Sequence, residues 1–141
     1  MKKVMFLCTA NSCRSQMAEG FAREFGKGLI EVHSAGLMAA GVQARAIAVM
    51  KEIGIDISNQ KSKTIDEDLL KKMDIVVTLC GYAEDLCPWT PPQVTRIHWP
   101  IKDPVGATGT EEEIMNEFRR ARDEIKEKVR GLIRELTTPS K

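Results

Sequence analysis

Long apolar runs are missing from this chain: near the amino terminus the longest spans only a few residues. That is too short for the core of a secretory leader or for a membrane-spanning helix, so a cytoplasmic protein is expected. A charge excess is missing too. Basic and acidic residues number 21 and 20, interspersed along the chain for a net charge of +1, a balance that points to neither a nucleic acid nor a membrane as partner. Cys-x2-Cys pairs are absent, and His33 and His98 stand alone in strand-like segments, so no metal site is expected and both histidines read as packing residues. Repeats, low-complexity segments and linkers are also absent. With 141 residues, the chain is expected to form one domain over 1–141, large enough to bury a core without staples, with a flexible tail over 137–141. Four cysteines remain, and in a reducing compartment they are more readily catalytic than a disulfide framework.

Val4-Met5-Phe6-Leu7 is the pattern of a parallel strand buried on both faces. Gln16 to Phe25 carries Met17, Phe21 and Phe25 at helical spacing. Ile30 to His33 is a second strand, ended by Ser34-Ala35-Gly36. Ala46, Ile47, Met50 and Ile53 place a helix over 43–53, stopped at Gly54. A shorter helix follows over 66–73, then strands over 74–79 and 94–98, rich in β-branched residues. Thr110 and Glu113 form a capping box ahead of Ile114, Phe118, Ala121, Ile125, Val129, Leu132 and Leu136, the apolar stripe of the last helix. Strands alternating with helices predict an α/β fold: a three-layer sandwich with a four-stranded parallel sheet and helices on both faces.

Cys8-Thr9-Ala10-Asn11-Ser12-Cys13-Arg14-Ser15 joins the first strand to the first helix. Backbone N–H groups of such a turn, with the positive end of the helix, cradle a tetrahedral anion and favour the Cys8 thiolate. Arg14 adds a planar fork that grips two oxygens at once. In open parallel sheets ligands sit beyond the carboxyl ends of the strands, where this loop falls. Cys13 is read as a small packing residue facing away from the anion, and Ser15 as a helix-start residue. If position 10 needs a positive φ, Ala10 is strained; otherwise it is neutral.

Cys80 and Cys87 follow the third strand, within Leu79-Cys80-Gly81-Tyr82-Ala83-Glu84-Asp85-Leu86-Cys87-Pro88. Strand ends on one edge meet at the site, so Cys80 can approach Cys8 if this segment moves, and Cys87 can approach Cys80 if it coils or unwinds. Three thiols in reach make a relay. The plainer alternative is a pair of core cysteines. Asp103-Pro104, after the fourth strand, is either a turn start or a site carboxylate.

Across about residues 2 to 136 the chain resembles the low-molecular-weight tyrosine phosphatase superfamily. Within it, the loop is similar to that of the thioredoxin-coupled arsenate reductases, Cys-Thr-Gly-Asn-Ser-Cys-Arg-Ser, with Ala10 replacing Gly. The spacing of Cys80 and Cys87 matches the same group. The resemblance implies that Ser15 hydrogen-bonds the nucleophilic sulfur and that Asp103 is the general acid. It implies reduction of arsenate, with phosphate or sulfate as competing oxyanions, by Cys8, Cys80 and Cys87 in turn. Thioredoxin would be the external reductant and partner, no cofactor would be tightly bound, and the protein would act as a monomer.

In some of these reductases a potassium ion lies near the loop, at positions matching Asn11, Glu19, Ser34 and an aspartate where this chain has Lys63. Lys63 is therefore either a solvated lysine or an ammonium in the cation's place beside Glu19 and Ser34. Two rival functions stand. One is a phosphatase acting on phosphotyrosine or another phosphomonoester through Cys8, Arg14 and Asp103. Val105 and Gly106, where the phosphatases commonly carry an aromatic wall, weigh against phosphotyrosine. The other is a thiol redox sensor with no oxyanion requirement.

Overall fold

Val4, Met5, Phe6 and Leu7 point alternately to opposite sides of their strand, yet all four are buried. Only a sheet covered on both faces satisfies that. In the computed structural model, which describes residues 1–137 and within them all side chains but those of Tyr82 and Glu84, this strand is β1 (Lys2–Cys8). The chain continues through α1 (Arg14–Phe25), β2 (Ile30–Gly36), α2 (Ala44–Lys51), α3 (Glu67–Lys71), β3 (Ile75–Thr78), α4 (Gly81–Leu86), β4 (Thr95–His98), a 3-10 turn (Pro104–Gly106) and α5 (Glu111–Thr137).

The sheet is parallel, in the order β2-β1-β3-β4. The first crossover leaves β1 toward β2 and the next returns across it to β3, so the strand order switches direction at β1. The crevice that such a switch opens lies at the carboxyl end of β1, where Cys8 stands. The expected α/β sandwich is the observed one.

Phe21 and Met17 of α1 and Phe118, Ile125 and Val129 of α5 are buried where these two helices pack together. Each such side chain contributes roughly 2 kcal/mol by leaving water. Phe25 closes the far end of this layer, 5.6 Å from the Phe21 ring and under the Arg130 guanidinium at 5.4 Å. The α5 capping box is present, with Glu113 N–H donating to Thr110 Oγ1 at 3.1 Å and Thr110 N–H to Glu113 Oε1 at 3.2 Å.

Several boundaries differ from the sequence reading. β2 does not stop at His33 but runs through Ser34, Ala35 and Gly36, pairing Gly36 with Cys8. α2 ends at Lys51, because Gly54 takes a φ of 83° and turns the chain, leaving Ile53 36% exposed while Ile57 fills the core. Asp66, placed inside α3, is its N-cap and accepts from Asp68 and Leu69 N–H groups. Thr137, read as tail, is the last residue of α5, its hydroxyl donating to Ile133 O at 2.8 Å; 138–141 lie outside the described residues. Among the described residues no helix is long and apolar enough to cross a membrane.

Candidate active site

The loop after β1 is held from outside by its carbonyls. Met38, Ala40 and Gln43 N–H groups donate to Thr9, Ala10 and Ser12 O at 3.0, 3.1 and 2.8 Å. Ser62 Oγ donates to Ala10 O at 3.1 Å and Gln16 Nε2 to Asn11 O at 3.0 Å. In a trans peptide the N–H points opposite to the C=O, so carbonyls drawn outward turn the following amides toward the cavity. No side chain caps α1, so its first-turn N–H groups are left for an anion as well. Gly36 makes the outer support possible: a Cβ there would lie 2.6 Å from Asn11 N and 2.9 Å from Thr9 O.

Asn11, at φ 46°, is the sole non-glycine residue with positive φ among the described residues. Asparagine tolerates that conformation better than most residues. Ala10 is therefore unstrained, which resolves the question raised by its replacement of glycine.

Asn11 also organises the buried polar groups beneath the loop. Its Oδ1 accepts from Lys63 N–H at 2.8 Å, and since a backbone N–H can only donate, the amide's orientation is fixed. Its Nδ2 then donates to Ser15 Oγ at 2.7 Å and to Ser34 Oγ at 3.0 Å. Each serine, having accepted, directs its own proton onward: Ser15 to Cys8 Sγ at 2.8 Å, and Ser34 to Glu19 Oε1. Glu19 is 2% exposed and is balanced by Arg23 Nε at 2.9 Å and Lys63 Nζ at 3.7 Å. Gln16, whose side chain links Asn11 to Lys61 O and to Gln60, completes a network with no buried side-chain polar atom left unsatisfied among the described residues.

Above the loop opens a cavity of about 480 Å³ bordered by Cys8, Thr9, Ala10, Ser12, Cys13 and Arg14, by Cys80 and Gly81, and by Asp103 and Val105. Arg14 is almost fully buried. Its Nη1 donates to Ile101 O at 2.8 Å and Leu79 O at 3.3 Å, and its Nη2 lies 3.5 Å from Asp103 Oδ2. Asp103 caps the 3-10 turn by accepting from Val105 N–H at 3.0 Å, as the turn reading expects, and also borders the cavity.

None of the four cysteines is in a disulfide. Cys80 is the N-cap of α4: its sulfur accepts from Ala83 N–H at 3.3 Å and lies 3.1 Å from Thr9 Oγ1, beside Cys8 in sequence. Cys87 is half-buried at the other end of α4. The six helical residues between them, seven steps of about 1.5 Å, set the two roughly 10 Å apart, beyond disulfide reach, so joining them requires α4 to unwind. Cys13, expected to face away from the anion, sits in the core cluster but also borders the cavity. Burial pushes its thiol far up, with the Asp103 and Cys8 charges adding to the effect against Arg14.

Glu19 and Ser34 lie beneath the loop, joined to Asn11 through the Ser34 hydroxyl, and Lys63 reaches Glu19 with its side chain 45% exposed. His33 pairs with Glu31 at 2.7 Å, and His98 Nδ1 lies 2.9 Å from Thr78 Oγ1, both away from the cavity. Sequence reasoning missed Gln16, Gln60, Gly36 and the 38–43 strap. Of these only Gly36 carried a signal, which read as a strand stop.

The family model of low molecular weight phosphotyrosine protein phosphatase matches residues 3–141. The chain belongs to this family. Within it, an arsenate reductase of Halalkalibacterium halodurans is 54% identical over 129 residues, 92% of this chain and 93% of the relative. An arsenate reductase of Bacillus subtilis is 56% identical over 124 residues, 88% of this chain and 89% of the relative. A solved arsenate reductase in the phosphate binding state shares the fold with a TM-score of 0.80 at 42% identity, covering 97% of this chain and all of the other. In the present chain a further thiol, Cys80, borders the cavity beside the loop cysteines Cys8 and Cys13.

Proposed function

We propose that the protein reduces arsenate to arsenite by a relay through Cys8, Cys80 and Cys87, with thioredoxin restoring the thiols. The observation that carries this reading is the shared cavity: nucleophile, anion clamp, carboxylate and second thiol border one space. Relatives above 50% identity named arsenate reductase support it.

Arsenate, a tetrahedral oxyanion, is held by the loop amides and Arg14, as phosphate or sulfate would be. Cys8 attacks arsenic while Ser15 holds its sulfur, and Asp103 protonates the departing oxygen, which leaves as water. The Cys80 thiolate attacks Cys8 sulfur. An S–S bond forms, the As–S bond breaks, and its electron pair stays on arsenic, which leaves as arsenite. Two thiols are oxidised and arsenic(V) is reduced to arsenic(III). Cys87 then attacks Cys80, freeing Cys8 and moving the disulfide to the ends of an unwound α4, where the thioredoxin dithiol reduces it. Every step uses side chains of this chain, with no tightly bound cofactor, and a monomer suffices. Thiols that must cycle in reduced form suit the cytoplasm.

The residues do not fit a potassium ion. Asn11 Oδ1 already accepts two hydrogen bonds, Ser34 Oγ already accepts from Asn11 Nδ2, and the Lys63 ammonium brings a positive charge to 3.7 Å from the Glu19 carboxylate. Lys63 takes the cation's role here.

The test is NADPH oxidation with thioredoxin and thioredoxin reductase, with arsenate or with equal phosphate. Continuous arsenate-specific oxidation is expected. Its absence, with good hydrolysis of an aryl phosphate, would make the protein a phosphatase; oxidation independent of any oxyanion would make it a thiol sensor.

A further inference from the structure

Arg14 uses its two edges for different purposes. Both N–H groups of Nη1 are committed to backbone carbonyls, Leu79 O at 3.3 Å and Ile101 O at 2.8 Å. Leu79 directly precedes Cys80, and Ile101 lies two residues before Asp103. The same Leu79 carbonyl accepts from Ile101 N–H at 3.4 Å, so the chain ends beyond β3 and β4 meet on this guanidinium. Three of the five donors remain, on Nε and Nη2, for the cavity and for Asp103 Oδ2 at 3.5 Å.

We propose that Arg14 is, beyond its grip on the anion, the positioning residue that couples occupancy of the oxyanion site to the placement of Cys80 and Asp103. The guanidinium is planar and rigid, so a shift of its Nη2 edge toward a dianion is transmitted to the Nη1 edge and to both carbonyls it holds. The arms carrying the second thiol and the carboxylate therefore respond together when the site fills. Nη2 lies 3.5 Å from Asp103 Oδ2, and an anion bound in the cavity would share that edge with the carboxylate. A lysine at this position would keep the charge but, as a point donor, cannot hold two carbonyls and an anion in one fixed frame.

This inference rests on the proposed reaction for its purpose, but its test does not use arsenate. Inorganic phosphate is titrated into the reduced full chain, with binding established independently by its effect on melting temperature. Hydrogen exchange is then followed at the amides of 79–83 and 101–105, and the alkylation rate of Cys80 is followed by peptide mass spectrometry. Exchange and alkylation are expected to slow together, at least several-fold, along one phosphate binding curve. In Arg14→Lys, at phosphate concentrations raised until its own binding is saturated, Cys80 is expected to stay as reactive as in the anion-free protein. Unchanged exchange in the wild-type protein at saturating phosphate would overturn the coupling even if the variant failed to fold. Full protection of Cys80 in saturated Arg14→Lys would overturn the role of Arg14. Neither outcome depends on arsenate reduction, so the two readings fail separately.

Discussion

The Cys8 loop and the segment from Cys80 to Trp89 meet at one sheet edge but are held in opposite ways. In the loop, the carbonyls of Thr9, Ala10, Asn11 and Ser12 are each bonded, and the side chains beneath, from Asn11 to Glu19, are buried and mutually satisfied. Among the described side chains of the α4 segment, Ala83 is buried, Cys80 makes sulfur contacts and Cys87 packs half-buried against the core, while Leu86 and Trp89 are exposed. Sulfur is a weak acceptor, so the N-cap of α4 is a soft one. A preorganised anion site gains from rigidity, because donors already in place need no reorganisation during reaction. A thiol that must reach first one partner and then another gains from a shallow hold. In the proposed relay the two regions would divide the labour of binding and of carrying the disulfide outward.

The sharpest way to break this comparison is to remove the fixed thiol. Cys8→Ser is expected to abolish both arsenate reduction and aryl phosphate hydrolysis, whereas Cys80→Ser should lose the first and keep the second. Loss of both in Cys80→Ser, measured on folded protein, would mean that α4 supports the loop rather than serving it.

Stability should divide in the same way. Asn11→Ala removes the donor that Ser15 and Ser34 accept from and the acceptor of the Lys63 N–H, while the serines keep their bonds to Cys8 and Glu19, a cost of about 3 kcal/mol. That corresponds to a fall in melting temperature of roughly 10 °C for a domain of this size. Trp89→Ala, on an exposed side chain, should stay within about 0.5 kcal/mol. Equal losses in the two variants would contradict the division.

Thiol reactivity offers a finer comparison inside the loop. Burial, Asp103 and Cys8 all push the Cys13 thiol up, so it stays protonated at pH 8. Iodoacetamide mapping at that pH is expected to label Cys8 and leave Cys13 unmodified. Rapid labelling of Cys13 in the folded protein would show a looser loop.

The smallest expected effect is none. Melting temperatures in sodium and potassium salts at equal ionic strength should coincide, because the Lys63 ammonium already faces Glu19. A large potassium-specific rise would restore the cation and make Lys63 a solvated residue.

Much of the layout was legible because it rests on local pattern: the apolar run of β1, the α5 stripe and its capping box, and the strand-to-helix position of the Cys8 loop. The misreadings have tertiary causes. Gly36 looked like a strand stop, but it extends β2 so that backbone can lie against Asn11 N. Ile53 matched the helical period, yet Gly54 turned the chain and Ile57 took its place in the core. α4 left no periodic trace, since six residues are too few for one and its cap is a cysteine rather than an oxygen-bearing residue. The site's titratable residues were legible as residue types at fixed spacing. What Arg14 holds with its second edge was not, because a backbone carbonyl has the same sequence signature everywhere.

The central claim is that arsenate leaves as arsenite when Cys80 takes Cys8 into a disulfide, with Cys87 needed only to pass that disulfide on. The most direct measurement is arsenite released per molecule of Cys87→Ser protein in the presence of thioredoxin and its reductase, with disulfides mapped at the end. The account predicts at most one arsenite per enzyme and a Cys8–Cys80 disulfide in the spent protein. Sustained cycling without Cys87, or a spent enzyme lacking that disulfide, would contradict it.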